Sequence, residues 1–406
     1  MEEIIDKIDT LSHLISPRRD INKPIYNWHS FKHSYSKELV DVFISEFNLK
    51  KGDWVLDPFC GGGTTLLACK QAGMNAHGFD ILPFSVFLSN VKTGDYNIDM
   101  LYREKERFER YNKPIQQVGK FPDILIIKKA FTPETERELF QIKFQIEQIS
   151  DTNTRNFFNL ALLSILESVS NTSKSGGFLR LVNRKVSTHQ IKRIFLNKIS
   201  EMIRDIETSK SNDGAITIMA FHGDAREIPS ELLYDAIITS PPYPNRHDYT
   251  RIYSLEMIFD FVKDNDELKK IRYETLRSHV EARKKFESVG YTAPSILNKL
   301  MNKIKVNGVN NPQVIGMLAG YFEDMFLVLS EMKRCLKKNG KVALVVSNVR
   351  FAGINIPVDE ILFEIGEQAG LKRKNILLAR YRGNSSQQMK TYERIPSRES
   401  IIIWEN

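Results

Sequence analysis

The feature that most constrains this chain is a short apolar strand that ends in a glycine-rich turn. The sequence WVLDPFCGGGTT fills residues 54–65, a helical pattern follows, and a second apolar segment ends on Asp80. Strand, glycine turn, helix and acid-tipped strand make one βαβ unit of a parallel sheet. Because glycine has no Cβ, such a turn can approach a ligand closely, and the amides that open the next helix favour a negative group. A tight turn without a ligand is the simpler interpretation of the glycines alone.

The rest of the chain repeats strand and helix patterns. It predicts an α/β fold, a doubly wound and mostly parallel sheet with helical insertions. Residues 1–50 are predicted to be mainly helical, and a second basic helical insertion is predicted at about 260–315. We expect three parts: residues 1–94, a helical insertion at 95–213, and residues 214–406. Further strands are predicted at residues 215–221, 235–239, 341–347, 375–380 and 400–404.

Composition and charge narrow the class of protein. Among 406 residues, 58 are Lys or Arg and 50 are Asp or Glu, and the net charge of +8 favours a polyanionic partner. The N-terminus lacks the pattern of a secretory signal, and the apolar stretches near 160–166 and 342–346 are too short to cross a bilayer. The cysteines form no CxxC pair and the histidines no HExxH. We therefore expect a cytoplasmic protein with no membrane partner, no disulfide framework and no metal.

A second candidate site follows the predicted strand at 235–239. It consists of Ser240, Pro241, Pro242 and Tyr243. The two prolines make a rigid turn at the carboxyl end of a parallel strand, which is the edge where open α/β sheets place their sites. The Ser240 hydroxyl and the Pro241 carbonyl could accept the two hydrogens of an exocyclic amine, and the Tyr243 ring could stack on a flipped base. Taken alone, the segment fits a structural turn with a packed tyrosine equally well.

Together, residues 57–65 and 240–243 resemble the cofactor loop and the catalytic tetrapeptide of the amino-group DNA methyltransferases, which make N4-methylcytosine and N6-methyladenine. The resemblance covers about residues 28–94 and 215–404. It implies a class I S-adenosylmethionine-dependent methyltransferase fold, S-adenosylmethionine as cofactor and double-stranded DNA as partner. The insertion at 95–213 then becomes a candidate DNA-recognition region.

The resemblance also assigns residues to the cofactor. Asp80 would bind the ribose hydroxyls, Ile81 would touch the adenine ring, and Asp224 would lie at the adenine edge. Residues 34–37 sit where the family binds the carboxylate of the cofactor. The complete set implied for the cofactor is Asp57, Phe59, Cys60, Gly61, Gly63, Thr64, Asp80, Ile81 and Asp224.

The first residue of the tetrapeptide bears on the target base. Family members with Asp or Asn there are mostly adenine enzymes, so Ser240 favours the N4 of cytosine, with the N6 of adenine as the alternative. A ring-carbon methyltransferase would need a cysteine near the proline turn, and Cys60, Cys69 and Cys335 lie elsewhere in the sequence. Two further alternatives stay open: an RNA methyltransferase acting on guanine N2, and a catalytically silent DNA-binding relative.

Candidate DNA contacts follow from charge and position. Phosphate contacts need Lys, Arg and polar side chains, and two arginines come directly after the tetrapeptide while residues 269–285 are dense in cations. A solvated helix face explains the second segment equally well. We predict DNA contacts by Arg246, Arg251, Lys269, Arg272, Arg277 and Arg283. The polar segment 380–388 is a further candidate, and the family expectation is a cognate restriction endonuclease encoded nearby.

Overall fold

The structure, a computed structural model, describes residues 4–111, 119–175, 177–184, 187–209, 215–309, 311–383, 393 and 395–406. The strands in these ranges are β1 (Ile4–Asp6), β2 (Trp54–Asp57), β3 (Asn75–Asp80), β4 (Thr172–Ser175), β5 (Phe178–Leu181), β6 (Ile218–His222), β7 (Tyr234–Thr239), β8 (Leu336–Ser347), β9 (Val349–Phe351), β10 (Ile354–Ile356), β11 (Lys372–Arg382) and β12 (Ser397–Glu405). The helices are α1 (Ile8–Leu11), α2 (Lys37–Glu46), α3 (Thr64–Ala72), α4 (Pro83–Thr93), α5 (Ile98–Arg110), α6 (Leu125–Ala130), α7 (Pro133–Glu147), α8 (Thr152–Val169), α9 (Thr188–Thr208), α10 (Tyr249–Ile252), α11 (Ser254–Asp260), α12 (Asn265–Glu274), α13 (Ser295–Asn307), α14 (Gln313–Cys335) and α15 (Val358–Gln368).

The main sheet has the strand order β1-β11-β12-β8-β7-β2-β3-β6. Strand β12 runs antiparallel to β8 and β11, and the other neighbouring pairs are parallel. The chain moves outward from β2 to β3 and β6 in one direction, and from β7 to β8 in the other. This confirms the predicted doubly wound, mostly parallel sheet and makes the β2–β7 junction its topological switch point.

Neighbouring residues of the central strands enter two separate cores. On β2, Val55 packs with the side chains of α2 and α3, whereas Leu56 packs with those of α14 and α15. On β12, Ile401 faces the first core and Ile402 the second. Burial on both faces explains why these strands are continuous apolar runs in the sequence.

Helix α14 is long and apolar enough, by length and composition, to cross a membrane. Its Tyr321, Phe322 and Met325 are buried in the core that α14 shares with β8. The apolar composition of this helix is therefore accounted for by packing against the sheet.

Helices α5, α7, α8 and α9 build a third apolar core beside the sheet. It contains Phe108, Phe158 and Phe195, and also Trp28 and Phe84 from the first part of the chain. The helical stretch thus shares its core with residues that precede it. Its expected boundaries at 95 and 213 stay a prediction.

The first 50 residues are less helical than predicted. Helix α2 forms as expected, but β1 adds a parallel strand to the edge of the sheet beside β11. Short 3-10 turns at Pro17–Asp20 and Tyr26–Trp28 stand where a longer helix was expected. Pro17 and Pro24 explain this, because proline has no amide hydrogen and clashes with the preceding helical turn.

The stretch at 260–315 also departs from the prediction, because α12 ends at Glu274 and α13 begins only at Ser295. Between them Arg277 turns inward, and its guanidinium donates to Asp324 of α14 at 2.6 and 3.0 Å. The ion pair of Arg277 with Asp324 on α14, rather than local helix propensity, therefore determines the backbone path between α12 and α13.

Helix α15 approaches β12 so closely that Gly366 is required. A methyl group at Gly366 would overlap the indole of Trp404, which is fully buried. We expect Gly366→Ala to lower the free energy of unfolding by about 1–3 kcal/mol, because the core cannot absorb the added volume. Thermal unfolding followed by circular dichroism measures the change.

Gly316 of α14 is the matched control. No atom lies within 4 Å of a methyl group added there, so Gly316→Ala should leave stability equal or raise it by about 0.5–1 kcal/mol through helix propensity. Equal melting temperatures for the two variants would contradict the close packing of α15 on Trp404.

Candidate active site

The candidate site lies beyond the carboxyl ends of the strands at the switch point. Asp57 ends β2, Asp80 ends β3, and Ser240 directly follows β7. Since these strands are parallel neighbours, their carboxyl ends share one edge of the sheet. The topology therefore brings the glycine turn and the Ser-Pro-Pro-Tyr turn, distant in sequence, to one crevice.

The carboxylate of Asp57 connects three segments of this crevice. Its Oδ1 accepts from the Thr239 hydroxyl at 2.6 Å and from the Phe59 amide at 3.1 Å. Its Oδ2 accepts from the Tyr35 hydroxyl at 3.4 Å. Burial raises the pKa of Asp57 to about 6, against the effect of these hydrogen bonds. Asp57 thus fixes the glycine turn relative to β7 and to the segment before α2.

The glycines of the turn make room for protein side chains. A Cβ at Gly61 or Gly62 would come within 2.9 Å of the Phe31 side chain, and a Cβ at Gly63 would come within 2.9 Å of the Ser89 hydroxyl. Gly63 also has a φ of 77°, which favours glycine. Phe31 stacks on Tyr253 with ring centroids 4.7 Å apart. The segment before α2 therefore covers the turn.

A narrow, mostly apolar cavity opens beside the turn, and Asp80 forms part of its wall. Asp80 accepts from the Gly61 amide at 3.0 Å and from the Leu82 amide at 2.9 Å. Burial raises its pKa to about 6. Of the residues assigned to the cofactor, the following line this cavity: Asp57, Phe59, Cys60, Gly61, Thr64, Asp80, Ile81 and Asp224. Gly63 instead packs against Ser89 behind the turn.

Asp224 is held by an arginine that the sequence did not single out. Arg226 donates to both carboxylate oxygens of Asp224, at 2.9 and 2.8 Å, and to Asp324 at 3.1 Å. Burial opposes ionisation of Asp224, but the guanidinium outweighs it and lowers the pKa of the carboxyl. Asp224 therefore faces the cavity as a fixed carboxylate.

The Ser-Pro-Pro-Tyr turn separates this cavity from a wider, more polar one. Ser240 and Pro242 line the first cavity, and Ser240, Pro241 and Tyr243 line the second. The Ser240 hydroxyl donates to the Val345 carbonyl at 3.0 Å. Its hydrogen is thereby engaged. The Tyr243 hydroxyl lies 3.4 Å from the same oxygen, and a lone pair of Ser240 is left to accept from a ligand.

Several residues of the second cavity have no signal in the local sequence. His33 and His247 lie with ring centroids 5.5 Å apart, and both line the cavity with Arg382 and Glu399. Burial, His247 and the charge of Arg382 lower the pKa of His33 to about 3.

Lys92 lines the same cavity, and its ammonium donates to the Gly62 carbonyl at 3.1 Å. Burial lowers the pKa of Lys92 to about 7. Arg382 pairs with the buried Glu399.

Four of the predicted DNA-contacting residues are exposed or partly exposed. Arg246 is exposed beside the catalytic turn with a φ of 68°, and Arg251 is half-exposed and paired with Asp248. Lys269 pairs with Asp266 on α12, and Arg283 lies over the Tyr273 ring at 4.4 Å. Contact by these four with DNA stays a prediction. Within the candidate loop 380–388, residues 384–388 lie outside the described residues.

Arg272 and Arg277 do not fit the predicted phosphate contacts. Arg272 is buried and pairs with Asp248 at 2.7 Å, and Arg277 is buried against Asp324 at 2.6 Å. A guanidinium that is buried and paired inside the protein cannot reach a phosphate without breaking its own ion pair. We therefore leave both residues out of the proposed DNA-contacting set.

Known proteins are similar in sequence to this chain, two of them over nearly its whole length. Residues 13–90 match a family named for N6 and N4 methyltransferases and described as DNA methylase. The chain is 34% identical to the Type II methyltransferase M.BsoBI of Geobacillus stearothermophilus, covering 99% of this chain and 90% of that protein. The identity to the Type II methyltransferase M.AvaI of Anabaena variabilis is 33%, covering 96% and 88%.

The chain belongs to the amino-group DNA methyltransferase family. It is a site-specific DNA methyltransferase, and S-adenosylmethionine is its methyl donor. The sheet order agrees with the predicted class I methyltransferase fold. TrmN from Thermus thermophilus, a solved structure, is 10% identical with a TM-score of 0.34, over 95% of this chain and 52% of its own, and this similarity is too low to add to the assignment. In the described part of this methyltransferase, no group of three or more His, Cys, Asp or Glu side chains is placed to hold a metal ion.

The position of Asp80 generates a prediction about cofactor affinity. On the prediction that Asp80 binds the cofactor ribose, its carboxylate must be ionised to accept from two hydroxyls, and burial raises its pKa to about 6. The affinity for S-adenosylmethionine should therefore rise as the pH increases through about 6. We expect Asp80→Asn to weaken binding at pH 8 by about tenfold or more and to remove this pH dependence, as measured by calorimetric titration.

S-adenosylhomocysteine keeps the ribose and lacks the sulfonium charge, so it serves as the control ligand. The variant should lose affinity for both ligands to the same extent. An unchanged affinity for either would remove Asp80 from the ribose site. A pH dependence that persists in the variant would assign the titration to another group, such as Asp57.

Proposed function

We propose that this methyltransferase transfers the methyl group of S-adenosylmethionine to the exocyclic N4 of a cytosine that is flipped out of duplex DNA. The observation that carries the proposal is the place of Ser240. It lines both the narrow cavity beside the glycine turn and the wider cavity beside Tyr243. A methyl donor in the first and a base in the second would meet at this residue.

The residues of the narrow cavity fit the cofactor by their chemistry. The Asp80 carboxylate can accept from ribose hydroxyls, and the apolar side chains of Phe59 and Ile81 suit an adenine ring. Asp224, held by Arg226, offers a fixed acceptor for an exocyclic amine. S-adenosylmethionine supplies an electrophilic methyl group on a sulfonium, and these side chains would orient it toward Ser240.

The residues of the catalytic turn fit an amine as the acceptor of the methyl group. The nitrogen lone pair of cytosine N4 is delocalised into the ring and attacks poorly. Because the Ser240 hydroxyl donates to Val345, its oxygen can accept one amine hydrogen, and the Pro241 carbonyl can accept the other. Both contacts favour a lone pair directed at the methyl group. The Tyr243 ring would stack on the base and offset the stacking lost from the duplex.

The surroundings of the turn support DNA as the substrate and a place in a restriction system. Arg246 is exposed next to the turn, where a cation can meet a phosphate. The relatives that cover nearly all of this chain are Type II methyltransferases by name. We infer a cytoplasmic protein with a cognate restriction endonuclease, whose cleavage should be blocked on DNA from cells that express this chain.

The decisive experiment identifies the product. Unmethylated duplex DNA is incubated with the protein and S-adenosylmethionine, digested to nucleosides and analysed by mass spectrometry, while sequencing of the modified DNA maps the site. We expect N4-methylcytosine. N6-methyladenine would keep the mechanism and overturn the base assignment. A methyl group on the cytosine ring carbon would overturn the mechanism, because that reaction needs a thiolate and the buried Cys60 belongs to the cofactor loop.

The Tyr243 ring should act on the base and not on the cofactor. We expect Tyr243→Ala to lower turnover about tenfold or more, since stacking of a base on an aromatic ring is worth roughly 1–3 kcal/mol. Cofactor affinity should stay near that of the wild type. Single-turnover kinetics and calorimetry measure the two quantities.

Tyr243→Phe keeps the ring and loses the hydroxyl, so it is the matched control and should retain most of the activity. Ser240→Ala should slow the reaction through the lost acceptor. An equal loss of cofactor affinity and turnover in Tyr243→Ala would argue against stacking on the base.

A further inference from the structure

The hairpin strands β4 and β5, residues 172–175 and 178–181, pair antiparallel and reach from the helical insertion toward the catalytic turn. A Cβ on Gly177 would come within 2.8 Å of the His247 ring, so the backbone at this end of the hairpin touches the loop after the turn. Strand β5 also lies against α10. Because His247 lines the same cavity as Tyr243, this end of the hairpin is a close neighbour of the proposed base site.

A buried charge cluster fixes the hairpin to the body of the protein. The Lys174 ammonium pairs with Glu256 of α11, and His29 Nε2 lies 2.9 Å from the same carboxylate. The side chains of His29, Lys174 and Glu256 are only 3%, 2% and 1% exposed. Burial would raise the pKa of Glu256, but Lys174 and His29 outweigh it and lower that pKa to about 2.

Such a cluster contributes more to geometry than to stability. The desolvation of buried charges offsets much of their attraction, whereas a misplaced partner would be strongly unfavourable. Lys32 adds a hydrogen bond from its ammonium to the Lys174 carbonyl at 2.6 Å. The hairpin is therefore held in one position relative to the catalytic turn.

The side chain that this rigid hairpin presents is Phe178. It is 58% exposed, more than any other Phe, Tyr or Trp among the described residues. Arg180, two residues further and on the same face of β5, is exposed as well. A lone exposed aromatic needs no explanation, but here the ring adjoins Gly177, which touches the loop of the base site.

We propose that Phe178 enters the DNA base stack and fills the space that the flipped target base leaves, with Arg180 on a nearby phosphate. The proposal rests on the proposed function, because it requires a flipped base. Apolar side chains that insert between base steps replace part of the lost stacking. A flipped base returns to the duplex less readily when a side chain occupies its place. Such a side chain can stay in that place only if the segment that carries it is rigid. The buried cluster of His29, Lys174 and Glu256 supplies this support.

The test uses Phe178→Ala and two duplexes that carry the mapped methylation site. One duplex is fully paired, and in the other the target base faces an abasic position, so that flipping breaks no base pair. Turnover of the variant on the paired duplex should fall about tenfold or more relative to the wild type, and on the abasic duplex it should stay near the wild type. With 2-aminopurine beside the target base, the variant should give a smaller fluorescence rise on the paired duplex.

Two further variants separate a wedge from a structural role. Leu181→Ala removes an exposed side chain (46% exposed) at the other end of β5 and should leave turnover on both duplexes unchanged. Phe178→Trp should restore turnover on the paired duplex. An unchanged rate of Phe178→Ala on the paired duplex, or an equal loss on both duplexes, would overturn the wedge. Failure of the wild-type protein to methylate either duplex would instead overturn the proposed function.

Discussion

The hydrogen bonds of the Asp57 carboxylate are the interactions on which the rest of the site depends. Asp57 ends β2 at the switch point and accepts from Thr239 of β7, from the amide of Phe59 and from Tyr35. These groups belong to the catalytic strand, the glycine turn and the segment that covers the turn. A carboxylate buried in this way is tolerated only with such donors. The order of the parallel strands creates the crevice, and Asp57 determines how its three walls face one another.

Buried ion pairs hold the segments around the two cavities in place. Arg226 links Asp224 of the narrow cavity to Asp324 of α14, and Arg277 donates to the same Asp324. In the second cluster, Glu256 pairs with Lys174 and lies 2.9 Å from His29 Nε2. Both clusters join segments that lie far apart in the chain. The desolvation of these buried charges offsets much of their attraction, so the clusters add little to the stability of the fold. Their main consequence is a fixed geometry around the two cavities.

The glycine turn shows how one sequence feature serves two purposes. Its lack of side chains was expected to admit a ligand, and Gly61 does line the narrow cavity. The same glycines also admit the Phe31 ring, which would clash with any side chain at Gly61 or Gly62. Phe31 in turn stacks on Tyr253, close to the buried Glu256 cluster. The glycine turn is thereby packed against the same region that supports the hairpin of β4 and β5.

The sequence by itself determined the features that depend on neighbouring residues. The alternation of apolar strands and helices predicted the doubly wound sheet, and the segments 57–65 and 240–243, each continuous in the chain, predicted the cofactor loop and the catalytic turn. Only the tertiary structure decided the walls of the second cavity, because His33 precedes α2 near one end of the chain, whereas Arg382 and Glu399 lie on β11 and β12 near the other end. It also separated exposed cations from buried ones. Arg272 and Arg283 occur in the same basic segment, but Arg272 forms internal ion pairs because the fold places Asp248 and Glu281 beside it. Local patterns record propensity and periodicity, whereas burial and charge pairing arise from contacts between residues that are distant in the sequence.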